Sequence, residues 1–229
     1  MIKKLILALL LLFPFNMTAF ADHETVDNLI AVGMAQYEEG DYVEARYSFN
    51  QAIVLAPERA DVFFYSAKVW QGMGDWQQAV GDLSECIRVE PDNFENYTIR
   101  AYLWAGMKNV ENAQADIAKA MELQPDSVSV YYARAVIFET AGMYDKAILD
   151  YTKAIELNKK TSKSKRVDSM LKFAEFVGVH ICDKEGAALY FHRGMSLSKS
   201  GESSKAKKDF KVAVKLEPKL AESLPEEMF

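Results

Sequence analysis

The sequence predicts an all-α chain built as a solenoid of helix–turn–helix hairpins, and three observations lead there. Pro57, Pro91 and Pro125 stand 34 residues apart. Each closes a similar phrase: Ala-Ile-Val-Leu-Ala-Pro, Cys-Ile-Arg-Val-Glu-Pro and Ala-Met-Glu-Leu-Gln-Pro. The phrase returns as Ala-Ile-Glu-Leu-Asn at 154–158 and Ala-Val-Lys-Leu-Glu-Pro at 213–218. Positions inside the period also agree in size, over units 26–59, 60–93, 94–127, 128–161 and, after an interruption, 187–220.

The eighth residue of each unit is small: Gly33, Ala67, Ala101, Ala135 and Gly194. The twentieth is alanine, at Ala45, Ala79, Ala113, Ala147 and Ala206. Four residues on stands a large apolar side chain (Phe49, Leu83, Ile117, Tyr151 or Phe210), and three further on a small one returns (Ala52, Cys86, Ala120, Ala154, Ala213). Spacings of three and four put these residues on one helical face. The small ones let a neighbouring helix approach, and the large ones fill the adjoining gap. Turns such as Glu39-Gly40-Asp41 and Met73-Gly74-Asp75 separate the two helical stretches of a unit. The closing proline cannot continue a helix, so it marks the break before the next unit. A single hairpin of this kind cannot bury its own apolar face, whereas a stack of them can.

This pattern resembles the tetratricopeptide-repeat family, in which W-x2-L-G-x2-Y is followed by A-x3-F and then P over 34 residues. Trp70 and Trp104 occupy the tyrosine position, and Phe63, Tyr97, Tyr131 and Tyr190 the tryptophan position. Lys159 replaces the expected proline of the fourth unit. The resemblance runs through five copies and implies a right-handed superhelical solenoid acting as a non-enzymatic protein-interaction scaffold or adaptor. In that family the first helices line a concave groove that binds a protein or peptide. Carried over, the groove residues are Ile30, Met34, Tyr37, Phe64, Lys68, Gln71, Thr98, Tyr102, Tyr132, Val136, Phe191 and Met195. The stripe is mainly aromatic and aliphatic, a composition favoured at binding surfaces. The family's chaperone-tail binders hold a terminal carboxylate with lysines and asparagines. Lys68 is the one basic member of the set and it has no asparagine, so no carboxylate clamp is expected.

The amino terminus carries Lys3 and Lys4, the unbroken apolar run Leu5 to Phe13, and Ala19-Phe20-Ala21. That is the three-part layout of a secretory signal peptide. The run is short of the ~20 apolar residues a transmembrane helix needs, and no cysteine follows it to carry a lipid. Residues 1–21 are therefore expected to be a cleaved leader, with Asp22 the first mature residue. The chain is expected to be exported, to the periplasm in a Gram-negative bacterium and otherwise secreted, with no later membrane insertion.

Residues 162–186 break the period. They open on Ser162-Lys163-Ser164-Lys165-Arg166 and continue with Val167, Met170, Leu171, Ala174 and Val177 at helical spacing, which reads as one inserted helix ending near Gly178. The acidic tail 221–229 is short for a capping helix. The last unit therefore needs cover from another subunit or from the tail folding back.

No Gly-rich phosphate loop, Gly-x-Ser-x-Gly elbow or His-Glu-x-x-His motif is present, and no enzyme activity or cofactor is expected. His180, Cys182 and Asp183 cluster with His192 ten residues after Cys182, but structural zinc takes four ligands at paired spacings. A metal-dependent enzyme using His180 and Cys182 is the remote alternative. Cys86 replaces a repeat alanine and reads as core, and a Cys86–Cys182 disulfide is not expected. Arg100, Arg134 and Arg193 share one repeat position, and Asp82, Asp116, Asp150 and Asp209 another; they read as structural pairs tying hairpins together. The net charge of −6 argues against nucleic-acid binding. Residues 22–158 carry 10 Lys/Arg against 23 Asp/Glu, net −13, and residues 159–219 carry 15 against 7, net +8. Such polarity can steer a partner. It also supports an alternative reading, a homo-oligomeric structural subunit assembling through its acidic and basic halves.

Overall fold

The computed structural model of the chain describes residues 14–160, 176 and 186–224, with side chains from residue 24 onward. The inserted segment (apart from Phe176 and Gly186), His180, Cys182 and the last five residues lie outside the described residues. Among the described residues the fold is all helical, with no strand. The chain divides into two compact units, Met1–Glu90 and Pro91–Phe229. The first holds α1 (Pro14–Glu39), α2 (Tyr42–Leu55), α3 (Ala60–Gly72) and α4 (Trp76–Val89). The second holds α5 (Phe94–Gly106), α6 (Val110–Leu123), α7 (Val128–Thr140), α8 (Tyr144–Lys160), α9 (Ala187–Lys199), α10 (Ser203–Leu216) and a 3-10 turn, Pro218–Ser223. Consecutive helices pair as hairpins: α1 with α2, α3 with α4, and so on to α9 with α10.

The starts of α3, α5 and α7 at Ala60, Phe94 and Val128 repeat the 34-residue interval of the prolines. Short polar side chains cap several of the starts by accepting an otherwise orphaned backbone N–H. Asp75 accepts from Gln78, Asn93 from Glu95, Asn109 from Asn112, and Ser127 from Val130. Each hairpin turns on one residue in the left-handed region, always 14 residues after the start of its repeat unit. These are Gly40 (φ 86°), Gly74 (81°), Lys108 (62°), Gly142 (72°) and Gly201 (88°). The amide of the left-handed residue and the next one close back onto the finished helix: Gly74 N donates to Gln71 O at 3.0 Å and Asp75 N to Trp70 O at 2.9 Å. This is a Schellman termination, for which glycine has no Cβ penalty. Lys108 keeps the same conformation against the preference of an L side chain.

Within a hairpin the small eighth residue receives the large side chain sixteen positions on. A Cβ at Gly33 would lie 2.8 Å from the Phe49 ring, and one at Gly194 would lie 2.7 Å from the Phe210 ring. Where the facing side chain is Leu83, Ile117 or Tyr151 instead, the eighth residue is alanine. Phe49 and Phe210 are almost wholly buried, and each such burial contributes roughly 2–3 kcal/mol. Phe49 anchors a cluster with Val26, Ala45, Ala52, Val62 and Val69 in the first unit. Phe210 anchors one with Ala187, Phe191, Leu197, Ala206 and Ala213 in the second.

Leu220, in the 3-10 turn after α10, is also buried in that second cluster. Leu224, at the start of the tail, packs against the same cluster. Phe176 is helical and fully buried.

Candidate protein-binding surface

The residues carried over for the groove lie on the first helix of each hairpin, and none of them is fully exposed. In the first unit Ile30, Met34 and Tyr37 of α1 pack at the edge of the Phe49 cluster. Tyr37 meets Tyr42 with ring centroids 5.5 Å apart, and the Lys68 ammonium of α3 stands 5.0 Å over the Tyr37 ring. Lys68 is buried, so its charge is turned to an aromatic face rather than offered to solvent. Phe64 and Gln71 are half-buried, and Phe64 lies edge-on to Tyr65 at 5.5 Å.

In the second unit Thr98, Tyr132 and Phe191 are buried. The Thr98 hydroxyl donates to its own helix at Phe94 O, 2.8 Å away. Tyr132 packs on Tyr151 and His192 at 5.8 and 5.6 Å, and Phe191 on Phe210 at 6.0 Å. Tyr102, Val136 and Met195 stay half-buried, and burial pushes the Tyr102 phenol above its ordinary value. The half-open residues of the set are therefore Ile30, Met34 and Tyr37 of α1, Phe64 and Gln71 of α3, and Tyr102, Val136 and Met195 of the second unit.

Beside Val136 the second unit holds a polar cluster that the repeat pattern did not single out. Glu139 accepts the Tyr151 hydroxyl at 2.8 Å, with His192 Nδ1 at 3.6 Å and Lys199 Nζ at 3.7 Å. Burial alone would raise the Glu139 carboxyl, but His192, then Tyr151 and Lys199, hold it below its ordinary value. Burial likewise pushes the Tyr151 phenol up. The signal was present in the sequence: His192 stands where the other units carry Ala31, Tyr65, Ile99 and Ala133. His192 is thus placed among aromatic rings and a carboxylate. Among the described residues no group of three or more His, Cys, Asp or Glu side chains is arranged to hold a metal. Cys86 is buried and donates to Ala60 O at 3.2 Å, and burial pushes its thiol up.

The arginine–aspartate pairs form as expected. Arg100 grips Asp116 at 2.7 and 2.8 Å, Arg134 grips Asp150 at 2.7 Å twice, and Arg193 grips Asp209 at 2.7 and 2.8 Å. Each joins the two helices of one hairpin in a two-pronged contact of the strong, directional kind. Each guanidinium also lies over the tyrosine three residues before it, at 5.3–6.0 Å. Its remaining nitrogen can reach the preceding hairpin, as Arg193 does at Thr152 (3.0 Å). In the second hairpin Ser66 takes the arginine's place. Asp82 there accepts from the Ser66 hydroxyl at 2.5 Å and from Trp70, and among the described residues no cation faces it. Burial pushes its carboxyl up to about 6 against those hydrogen bonds. In the first hairpin the pair is neutral, Ser48 donating to Gln36 at 2.8 Å.

No helix among the described residues is long and apolar enough to cross a membrane. Three stretches, 61–93, 128–160 and 187–220, match models described as tetratricopeptide repeat. No curated protein matches the chain. Among solved structures, MamA from Desulfovibrio magneticus is 13% identical, covering 85% of this chain and 96% of its own, with a TM-score of 0.60. A thermophilic tetratricopeptide-repeat protein of Thermus thermophilus is 16% identical over 86% and 94%, with a TM-score of 0.62. A tetratricopeptide-repeat protein from Parabacteroides merdae is 22% identical over 84% and 78%, with a TM-score of 0.54. The hairpins outside the matched stretches, α1–α2 and α5–α6, turn on a left-handed residue at the same place, Gly40 and Lys108. The chain therefore carries tetratricopeptide repeats, and its fold is that of a tetratricopeptide-repeat protein.

Proposed function

We propose that this chain is a non-enzymatic scaffold of the cell envelope that holds a protein or peptide against the first-helix faces of its hairpins. The observation that carries the reading is the recurrence of half-open aromatic, thioether and aliphatic side chains at equivalent places, Met34, Tyr102, Val136 and Met195, beside a closely packed core. Large, flexible or aromatic groups of this kind bury much area on contact and lose little entropy. Export rests on the amino-terminal residues, whose charged start, apolar run and small-residue site are those of a cleaved leader. Cell fractionation with amino-terminal sequencing of the recovered protein is expected to give an envelope protein beginning at Asp22.

The binding test is affinity capture from detergent-solubilised envelope, comparing the unmodified chain with a Tyr102→Ala/Met195→Ala variant. Both side chains are half-buried, and because Met195 packs against the Phe210 cluster the variant is checked for unchanged helical circular dichroism. A partner retained by the unmodified chain and weakened at least about tenfold by the double substitution supports the reading, since anchor residues of this type dominate interfaces. Equal retention by both chains places the binding surface elsewhere.

A further inference from the structure

We propose that the exposed face of α1 docks on the exposed face of α10 of a second copy, so that the first hairpin of one copy follows the last hairpin of another, head to tail. The first-helix faces of the preceding section are not involved.

Inside the second unit α9 is received by α8. Arg193 of α9 donates to Thr152 of α8, and Ile148 packs against the cluster that holds Leu197, so the two helices run antiparallel. The α9 residues turned into this packing, such as Leu189 and Ser196, are buried. The equivalent residues of α1 are Asn28, Ala31, Val32 and Ala35, and all four are exposed, Val32 at 49%. α1 thus carries the surface by which a hairpin accepts its predecessor, with nothing described on it. Glu24, Asn28, Ala31, Ala35 and Glu38 fall at spacings of three and four, so the small apolar centre of this stripe is framed by carboxylates at both ends, Glu39 included.

The complementary face is α10. The α8 residues that receive α9, Ile148 and Thr152, correspond in α10 to Lys207 and Lys211, both exposed. Lys208 and Lys215 extend the same basic surface. Leu220 enters the core after α10, and among the described residues Lys207, Lys208, Lys211 and Lys215 stay exposed. A second copy placed on α10 as α9 sits on α8 is antiparallel to it. Lys207 and Lys208 then approach Glu38 and Glu39, Lys211 lies along Val32, and Lys215 approaches Glu24. Lysine stems cover apolar surface while their ammonium groups reach outward, so the lysine face and the Ala31–Val32–Ala35 stripe fit as stem against methyl and charge against charge. Among occupants, a second copy alone supplies an acidic frame, a small apolar centre and the repeat's own packing geometry together.

The test is sedimentation of the purified chain at about 50 mM and at 1 M salt, since exposed pairs are screened over ~10 Å at 0.1 M and ~3 Å at 1 M. Masses of two or more chains at low salt, falling to a monomer at high salt, are expected. Lys207→Glu/Lys211→Glu and Glu38→Lys/Glu39→Lys variants, each checked for unchanged helical circular dichroism, are expected to be monomeric alone. Mixed in equal amounts they are expected to regain association, because each reversed face then meets its complement. A monomer at low salt and high micromolar concentration overturns the proposal. So does association that survives 1 M salt, as an apolar aggregate would, or either variant still assembling alone. Loss in both variants without recovery on mixing overturns the head-to-tail geometry as well.

Discussion

Replacing Asp82 by asparagine isolates the one clasp whose aspartate faces a serine instead of an arginine. In the folded chain burial raises the carboxyl from the ordinary 3.8 to about 6, so the folded state holds this proton more tightly than the unfolded one. Below about pH 4 both states are protonated and nothing is lost. Between about 4 and 6 the unfolded chain ionises freely while the folded one resists. Above about 6 the folded carboxylate stands ionised without a cation. The stability associated with Asp82 is thus present in acid and lost as the pH rises through that window. Two pKa units correspond to about 3 kcal/mol, and because part of the side chain meets water about 2 kcal/mol is the reasonable expectation. Asparagine keeps the size and an oxygen to accept from Ser66. Urea unfolding of the wild type and Asp82→Asn at half-unit intervals from pH 4 to 8 should give a difference near zero at the acid end. It should grow to about 2 kcal/mol in favour of the variant by pH 7, with all other titrations cancelling in the subtraction. Ser66→Arg, which installs the partner present in the hairpins of Arg100, Arg134 and Arg193, should flatten the wild-type profile over the same interval. A difference independent of pH, or one of opposite slope, would refute the account of Asp82.

Two packing predictions follow from the repeat geometry. Gly194→Ala gains helix propensity of about 1 kcal/mol but drives a methyl to 2.7 Å from a buried ring, an overpacking that costs ~1–3 kcal/mol; a net loss of about 1 kcal/mol is expected by urea denaturation. Combining it with Phe210→Leu, which recreates the Ala67–Leu83 pairing, should cost less than the two single losses added, and strict additivity would contradict the size-matching argument. Lys108→Gly relieves the one non-glycine left-handed turn, worth ~1 kcal/mol, and should raise the thermal midpoint; an unchanged or lower midpoint would show that Lys108 has a compensating contact.

Much of the hairpin architecture was legible in the residues, for local physical reasons. Proline ends, left-handed turn glycines and the small–large pairing sixteen residues apart are properties of one hairpin, and they repeat. The arginine–aspartate clasps were legible in the same way, because identical residues at identical positions meet identical neighbours. What the period could not give was exposure within a helix face. Thr98, Tyr132 and Phe191 occupy the same position as Ile30 and Phe64, yet they are buried where the latter are half-open. Within each unit α3, α7 and α9 are covered by their own second helix and by the preceding hairpin, and which flank stays open depends on side-chain size in both. The cluster around Glu139 escaped for the opposite reason. It is assembled from α7, α8 and α9, so no single repeat displays it, and only the odd histidine at position 192 betrays it. Lys108 was hidden too, since the left-handed turn it serves is written as glycine in the other four hairpins.

The clasps have a consequence for how the chain acquires its structure. Each one joins residues 16 apart, so its formation closes a short loop and sacrifices little chain entropy. Contacts of such low sequence separation favour fast, hairpin-by-hairpin growth, in which a formed hairpin templates its neighbour. The hairpins of Arg100, Arg134 and Arg193 are then the natural seeds. The first hairpin, held by a neutral serine–glutamine bond, joins late and opens early.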